Sequence, residues 1–325
     1  MQKGNSADAA SSKKQFGAFF QKYLIYIVLL ILVVALSFTS PAFLTKSNIL
    51  TMLRQLSING IVAVGMTFVI ITGGIDLSVG SIIALAGIVA CNFAHPDTYP
   101  VILPIVIGIA IGVVCGLING MVYAKGNVVP FIATLGMMTV GRGLTQVYNN
   151  GMPVINVSDT YGVIGGGYVA GMPIPILIFI AMILLGIFIL NYTKFGRYVY
   201  ALGGNEQAAR VSGINVTKIK VAVYGISGLL ASLAGIVLSS RVMAGTVVAG
   251  QGYELDAIAA VAIGGTSMAG GSGSIIGTTA GVLIIGVMNN GLDLLNISSY
   301  YQQIIKGIII VAAVYFDVRS HSKNS

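Results

Sequence analysis

Glu254 and Asp256 are two carboxylates, two residues apart, at the start of an apolar run. Residues two apart do not share a helical face, so the pair is poorly placed for joint acid and base catalysis. At the beginning of a helix, acids instead complement the positive end of the helix dipole. We therefore assign no catalytic residue and keep Glu254 and Asp256 as candidates for lining a polar path.

The glycine-rich stretch after this run has part of the pattern of a phosphate-binding loop. Gly265 and Gly270 have the required spacing, but Gly271 stands where the phosphate-binding lysine is needed before Ser272. We find no such loop elsewhere, so the chain is not expected to hydrolyse nucleotide. No cofactor site is indicated, and the two cysteines lack the spacing of metal ligands.

Asp76 is an acidic residue in a strongly apolar region, just after the pair Gly73-Gly74. The glycines weaken one helix, and Asp76 or Ser78 can cap the next one. An acid at membrane depth usually faces protein or water, so one interpretation is a cap at a kink. The other is a broken helix that lines a polar path, with Thr72, Asp76 and Ser78 on it.

A polar break in the hydrophobicity covers residues 193–216. Asn205 can cap a short helix there, Glu206 suits its first turn, and Gly213 can end it. Such a helix has a shape that another protein can grip, although a solvated basic loop is the plainer interpretation. Five cations lie in or beside the break: Lys194, Arg197, Arg210, Lys218 and Lys220.

A third polar stretch, residues 289–303, is rich in amides, hydroxyls and tyrosines. Tyrosines next to a membrane span are ordinary anchors at the interface. The alternatives are a docking surface for an external protein or the mouth of a polar path.

The elements that position these residues follow from the composition, which is 56% hydrophobic and 8% charged with a mean hydropathy of +0.94. Soluble domains carry roughly 25% charged residues, so the chain is predicted to be an all-α, polytopic membrane protein. At roughly 20 residues per span, about ten helices are expected, with nine to eleven as the range. They lie near residues 23–40, 49–71, 78–94, 101–123, 129–148, 173–191, 217–239, 254–265, 275–290 and 300–317.

The distribution of lysine and arginine predicts the orientation. With the N-terminus inside and ten crossings, most of the 17 cations lie on the cytoplasmic side, which favours both termini inside. We expect a cytoplasmic tail over 1–22, a transmembrane permease domain over 23–318 and a second tail over 319–325. The cations are spread over several loops, which explains the net charge of +8 without a nucleic-acid partner.

Small residues recur every four positions in two of the predicted spans. In lipid, such stripes mark faces where helices approach closely. Packing within one subunit is the first interpretation, and a subunit interface is the second. The stripes are Gly108, Gly112, Gly116 and Gly120, and then Ala231, Gly235 and Ser239.

Four ordered motifs carry a resemblance to a known family. They begin at Val64-Gly65-Met66-Thr67, Tyr200-Ala201-Leu202-Gly203, Tyr253-Glu254-Leu255-Asp256 and Asn289-Asn290-Gly291-Leu292. With the residues that follow them, these motifs resemble the permease subunits of bacterial ATP-binding-cassette importers for simple sugars, most closely those that carry ribose. The resemblance covers nearly the whole chain after about Pro41 and rests on motif order and separation.

This resemblance implies a permease homodimer in the cytoplasmic (inner) membrane, in contact with lipid. It also implies a cytoplasmic ATPase subunit that uses ATP and Mg²⁺, and an extracytoplasmic sugar-binding protein. The polar break then becomes a coupling helix for the ATPase. Its residues are Asn205, Glu206, Ala208, Ala209, Arg210 and Gly213.

Other functions remain open on the sequence alone. A secondary sugar transporter driven by protons or sodium would use Asp76 as its titrating group, but intramembrane charge is scarce and no internal repeat is visible. A membrane scaffold or sensor without transport is a third class. Within the importer family, galactose, xylose, a ketohexose or a sugar-like signal could be carried instead of ribose.

Overall fold

The computed structural model describes residues 25–96 and 98–322. The predicted tail over 1–22 and the last three residues lie outside this part of the chain. The helices are α1 (Ile25–Thr39), α2 (Lys46–Ile71), α3 (Val79–Asn92), α4 (Ile102–Gly126), α5 (Pro130–Tyr148), α6 (Asp159–Gly166), α7 (Ile174–Tyr192), α8 (Lys194–Gly204), α9 (Glu206–Val211), α10 (Val216–Val242), α11 (Tyr253–Ile263), α12 (Ile275–Leu294) and α13 (Ser299–Ser322).

All ten predicted apolar segments form helices, which confirms the fold class. Five of these helices, α2, α4, α7, α10 and α12, are long and apolar enough to cross a membrane. The segment predicted near 254–265 becomes α11, which has 11 residues. At 1.5 Å per residue this is about 16 Å, roughly half of a bilayer core. It is therefore a half-helix, as its short apolar run suggested.

The connection between α5 and α7 contains structure that the hydrophobic pattern did not indicate. Besides α6, two short strands, β1 (Tyr168–Val169) and β2 (Met172–Pro173), form an antiparallel hairpin. The turn of the hairpin places Ala170 and Gly171 at positive φ. These elements lie between spans and leave the helical architecture unchanged.

Helix α10 is the centre of the bundle and packs against α2, α3, α4 and α6. Its contact with α4 is made by the first glycine stripe. A Cβ added to Gly112 would meet Gly228 and Ser232 of α10, and one added to Gly116 would meet the carbonyl of Tyr224. The backbones are therefore in direct contact, which agrees with the interpretation of the stripe as packing within one subunit.

The second stripe faces a different helix. Gly235 of α10 lies against the backbone of Ile83 in α3, and Gly87 of α3 lies against Gly235 and Ser239. Helix α10 is thus held between α3 and α4 by small residues on two of its faces. Lipid offers no hydrophobic force between helices, so this close contact supplies dispersion energy in its place.

Helices α3 and α11 both start in the interior of the bundle. Asp76, just before α3, contacts Ser227 near the middle of α10. Gly80 of α3 lies against Gly250, which precedes α11, and against Glu254 in the first turn of α11. From this meeting point α3 runs toward the end where α10 finishes. Helix α11 runs the other way, toward the loop that contacts α8. Two half-helices thus meet start to start.

Two ends of the bundle can now be distinguished. We call the end that carries α8 and α9 the α9 end, and the opposite one the far end. At the far end, the start of α2 is joined to the end of α12 by the amides of Asn48 and Asn290, which exchange hydrogen bonds of 2.9 and 2.8 Å.

Candidate functional site

The short helix predicted between Asn205 and Gly213 is present as α9, over Glu206–Val211, and its contact with an ATPase stays a prediction. The side chain of Asn205 accepts a hydrogen bond of 2.9 Å from the amide of Ala208, as an N-cap does. Gly213 follows with a φ of +82°, the left-handed conformation that ends a helix. The local signals in the sequence therefore predicted the cap, the helix and its end.

Glu206 attaches α9 to the main bundle. Its carboxylate accepts from Lys220 of α10 at 2.8 Å and from Arg210, one turn along α9, at 3.0 Å. The hydrogen bond from Lys220 is the main reason that the pKa of Glu206 lies below its ordinary value. Glu206 thus stays ionised, and paired, at pH values where a free glutamate takes up a proton.

Lys220 was counted only as a loop cation by the sequence, but it is buried. Its ammonium lies 4.1 Å from the centre of the Tyr123 ring on α4, in addition to its ion pair with Glu206. A buried lysine with two partners fixes the angle between α9 and α10.

The surface that α9 offers to a partner is carried by other residues. Ala209 is buried, whereas Gln207, Ala208 and Arg210 are exposed. Val211 is 90% exposed, a large apolar side chain at the tip of a polar loop. The sequence analysis did not single out Val211, although an isolated valine in a basic loop was a usable signal.

Helix α8 connects this segment to the interior. Gly203 of α8 lies directly against the carbonyl of Ile71 at the end of α2. Gly271, in the loop between α11 and α12, donates to the same carbonyl at 2.8 Å, and the Tyr200 hydroxyl donates to the Gly273 carbonyl at 2.8 Å. The glycine-rich loop that lacks a phosphate-binding lysine therefore joins α8 to α11 and α12.

Asp76 lies in a closed hydrogen-bond network and is completely buried. Its Oδ1 accepts from the Ser78 amide at 2.9 Å and from the Ser78 hydroxyl at 2.6 Å, and its Oδ2 accepts from Ser227 at 2.7 Å. The Asn119 amide donates to the Ser78 hydroxyl at 2.8 Å. Asp76 therefore joins α3, α4 and α10 just before the start of α3, where its charge complements the helix dipole.

We expect Asp76→Asn to keep most of the transport activity and Asp76→Leu to lose it. Asparagine retains the acceptor for Ser78, and the Ser227 hydroxyl can turn to accept from the new amide. Leucine leaves buried donors without partners, at about 1–3 kcal/mol each. Uptake at several pH values, with thermal stability measured in parallel, checks this. A steep, pH-dependent loss in a stable Asp76→Asn protein would instead identify a titrating group.

The other predicted path residues lie in different surroundings. Thr72 is buried at the end of α2, where its hydroxyl donates to the Val69 carbonyl at 2.7 Å, near α8 rather than Asp76. Glu254 lies against Gly80, so the stretch that follows Asp76 and the start of α11 do meet. One Glu254 oxygen accepts from the Gly252 amide at 3.3 Å, whereas Oε2 is buried without a hydrogen-bond partner among the described residues.

Arg142 of α5 lies beside the segment that precedes α11. Its guanidinium donates to the carbonyls of Val247 and Ala249 at 2.9 and 2.8 Å, and so holds the segment before α11. The sequence analysis gave Arg142 no role. Its position shows that the start of α11 is anchored electrostatically.

Asp256 lies on the other side of α11 and lines a polar cavity of about 160 Å³ at the far end. Lys306 of α13 forms an ion pair with it at 2.9 Å. The third polar stretch supplies the opposite wall, through Asn289, Asn290 and Asp293. Asp256 and this stretch, which the sequence considered separately, therefore form one site.

The known proteins that this chain resembles in sequence are all membrane permeases. The family model described as branched-chain amino acid transport system / permease component matches residues 48–314. The ribose import permease protein RbsC of Bacillus subtilis is 51% identical over 93% of this chain and 94% of its own length. That of Haemophilus influenzae is 49% identical over 94% and 96%. The xylose transport system permease protein XylH of H. influenzae is 36% identical over 92% and 97%.

No solved structure matches the chain. The family match covers most of the sequence and includes all four motifs, and the relatives align over nearly their full lengths. The protein is thus a multi-pass membrane transport subunit and not an enzyme. By sequence, the chain belongs to the permease component family of the branched-chain amino acid transport systems.

Proposed function

We propose that this chain is the membrane-spanning permease subunit of an ATP-driven importer that carries ribose across the cytoplasmic membrane. The observation that carries the proposal is the identity of about one half to ribose import permeases over more than nine-tenths of the chain. Identity to a xylose permease is 36%, which favours ribose over xylose.

We infer that the working unit contains two copies of this chain, a cytoplasmic ATPase that uses ATP and Mg²⁺, and an extracytoplasmic sugar-binding protein. The α9 end then faces the cytoplasm, with both chain termini on that side, because the cations of α8, α9 and the start of α10 lie there. The far end faces outward and receives the sugar from the binding protein.

The geometry supports a route for coupling in this assembly. The ATPase contacts α9 and Val211, and α8 passes a displacement to the end of α2 and to the glycine-rich loop through Gly203 and Tyr200. That loop connects the end of α11 to the start of α12, and both helices line the far-end cavity. A movement at the α9 end can therefore change the cavity without contact between ATPase and sugar.

The proposal predicts that the sugar-binding protein whose gene lies beside the gene for this chain binds ribose with a Kd of about 1 μM or tighter. This corresponds to a binding free energy of roughly −8 kcal/mol. Calorimetry against a panel of pentoses and hexoses measures this. Vesicles containing the permease, the ATPase and that binding protein should take up ribose only when ATP is supplied on the ATPase side. Tight binding of another sugar without a response to ribose overturns the choice of sugar. Uptake driven by an ion gradient without ATP overturns the importer.

A further inference from the structure

The far-end cavity is lined by residues of α2, α11, α12 and α13 of a single protomer. Its volume of about 160 Å³ is well above the roughly 10–15 Å³ that a single water needs, so the cavity has room for a small polar ligand. Apolar side chains, among them Leu56, Val282 and Ile285, line part of the wall. The cavity thus combines an apolar surface with a polar one, as ligand sites do.

Two amide oxygens on its wall lack hydrogen-bond partners among the described residues. Asn59 Oδ1 on α2 and Asn289 Oδ1 on α12 are buried, and neither accepts a hydrogen bond within the described part of the chain. A buried acceptor left unpaired costs about 1–3 kcal/mol, so these oxygens favour a donor inside the cavity. The neighbouring amide of Asn290, by contrast, is paired with Asn48.

The charges around the cavity are already paired with the protein. Asp256 is bound to Lys306 at 2.9 Å, and Asp293 accepts from Gln302 at 2.8 Å. Both contacts come from α13 and hold this helix against α11 and α12. Lys306 neutralises Asp256, and Asp293 is bound by an amide, so the acceptors left without a partner are the neutral amide oxygens of Asn59 and Asn289, which suit the hydroxyls of an uncharged sugar.

We propose that this cavity is a binding subsite for one neutral monosaccharide within a single protomer, and that the amides of Asn59 and Asn289 hydrogen-bond its hydroxyls. The subsite rests on the proposed importer function. It gives each subunit of a dimer its own sugar contact, with α13 as the wall that must yield for the sugar to pass. Weak affinity is expected, since few groups contact the ligand and release must follow.

Saturation-transfer NMR tests the subsite, with the permease–ATPase complex in nanodiscs, ribose as the probe and no binding protein present. The wild-type complex should transfer magnetisation to ribose. Asn59→Leu and Asn289→Leu keep the side-chain size but remove the acceptor, and each should reduce the transfer at least fivefold. Asn92→Leu removes an exposed amide at the end of α3 and should leave the signal unchanged.

Asn59→Ser and Asn289→Ser shorten the side chain without adding bulk and serve where a leucine variant fails to assemble; the same loss is expected. If the wild-type complex gives no transfer, so that the cavity holds only water, the subsite is overturned. Unchanged transfer in all Asn59 and Asn289 variants also overturns it. Uptake of ribose by the full system is measured beside these experiments. Uptake without transfer refutes the subsite alone, whereas absence of ribose uptake by the wild-type system refutes the proposed function.

Discussion

A Gly-Ser linker in place of residues 205–213 is expected to abolish co-purification of the ATPase and ATP-driven uptake, while the permease still inserts into the membrane. The linker removes the Asn205 cap, the exposed surface at Val211 and the attachment of Glu206 to Lys220. Insertion should persist because α9 lies outside the spans and contributes only Ala209 to the buried residues. Affinity purification through a tag on the permease measures the association.

Point variants refine this test. Val211→Asp places a charge on the most exposed apolar side chain of α9 and should weaken ATPase binding at least tenfold, whereas Ser212→Ala, at the adjacent exposed position, should have little effect. Glu206→Gln keeps the surface and loosens α9 from α10, so a smaller loss is expected. An ATPase that co-purifies normally with the linker variant would show that α9 is not the coupling helix.

Gly116→Ala should destabilise the permease more strongly than the change of one methyl group suggests. The new Cβ would meet the carbonyl of Tyr224 and the backbone of Gly225, so α4 and α10 must move apart. The cost is the lost contact along the whole glycine stripe, of the order of 1–3 kcal/mol for overpacking and more where the helices separate. Thermal stability in detergent, followed by fluorescence-detected gel filtration, measures the effect.

Gly143→Ala is the matched control, because a Cβ at this position of α5 meets nothing within 4 Å. In a helix, alanine is preferred to glycine by about 1 kcal/mol, so the control should be neutral or stabilising. The two substitutions therefore differ in sign although their chemistry is identical. Equal stability of the two variants would contradict the close approach of α4 and α10.

The part of the coupling segment that follows from local rules was predictable from sequence. An N-cap, a first-turn acid and a terminal glycine act within a few residues of each other, so Asn205, Glu206 and Gly213 identified α9. The partner of Glu206 was not predictable, because Lys220 reaches it only through the angle between α9 and α10. Val211 was missed for a different reason: its position in a basic loop was a usable signal, but its 90% exposure is known only from the fold.

In the interior polar sites too, local features were predictable from sequence, whereas partners distant in sequence were not. A break in the helix at Asp76 was predicted, yet its partners Asn119 and Ser227 are supplied by α4 and α10. The cavity is formed by four helices that are distant in sequence, and only the tertiary fold brings Asn59 to Asn289. The sequence thus predicted the helices and the presence of polar breaks, and the fold determined which polar groups meet. The roles of the predicted path residues in transport stay predictions.

The meeting of α3 and α11, start to start, has a consequence for the response of import to membrane voltage. Each helix start contributes a positive partial charge of about one half, and Arg142 adds one cation, opposite the carboxylates of Asp76 and Glu254. With both carboxylates ionised, the formal charges of these groups nearly cancel. An unbalanced charge crossing the bilayer would couple to the potential by about 2.3 kcal/mol per 100 mV. The proposed sugar is uncharged and these charges are fixed to the helices, so under the proposed function the voltage neither helps nor opposes import.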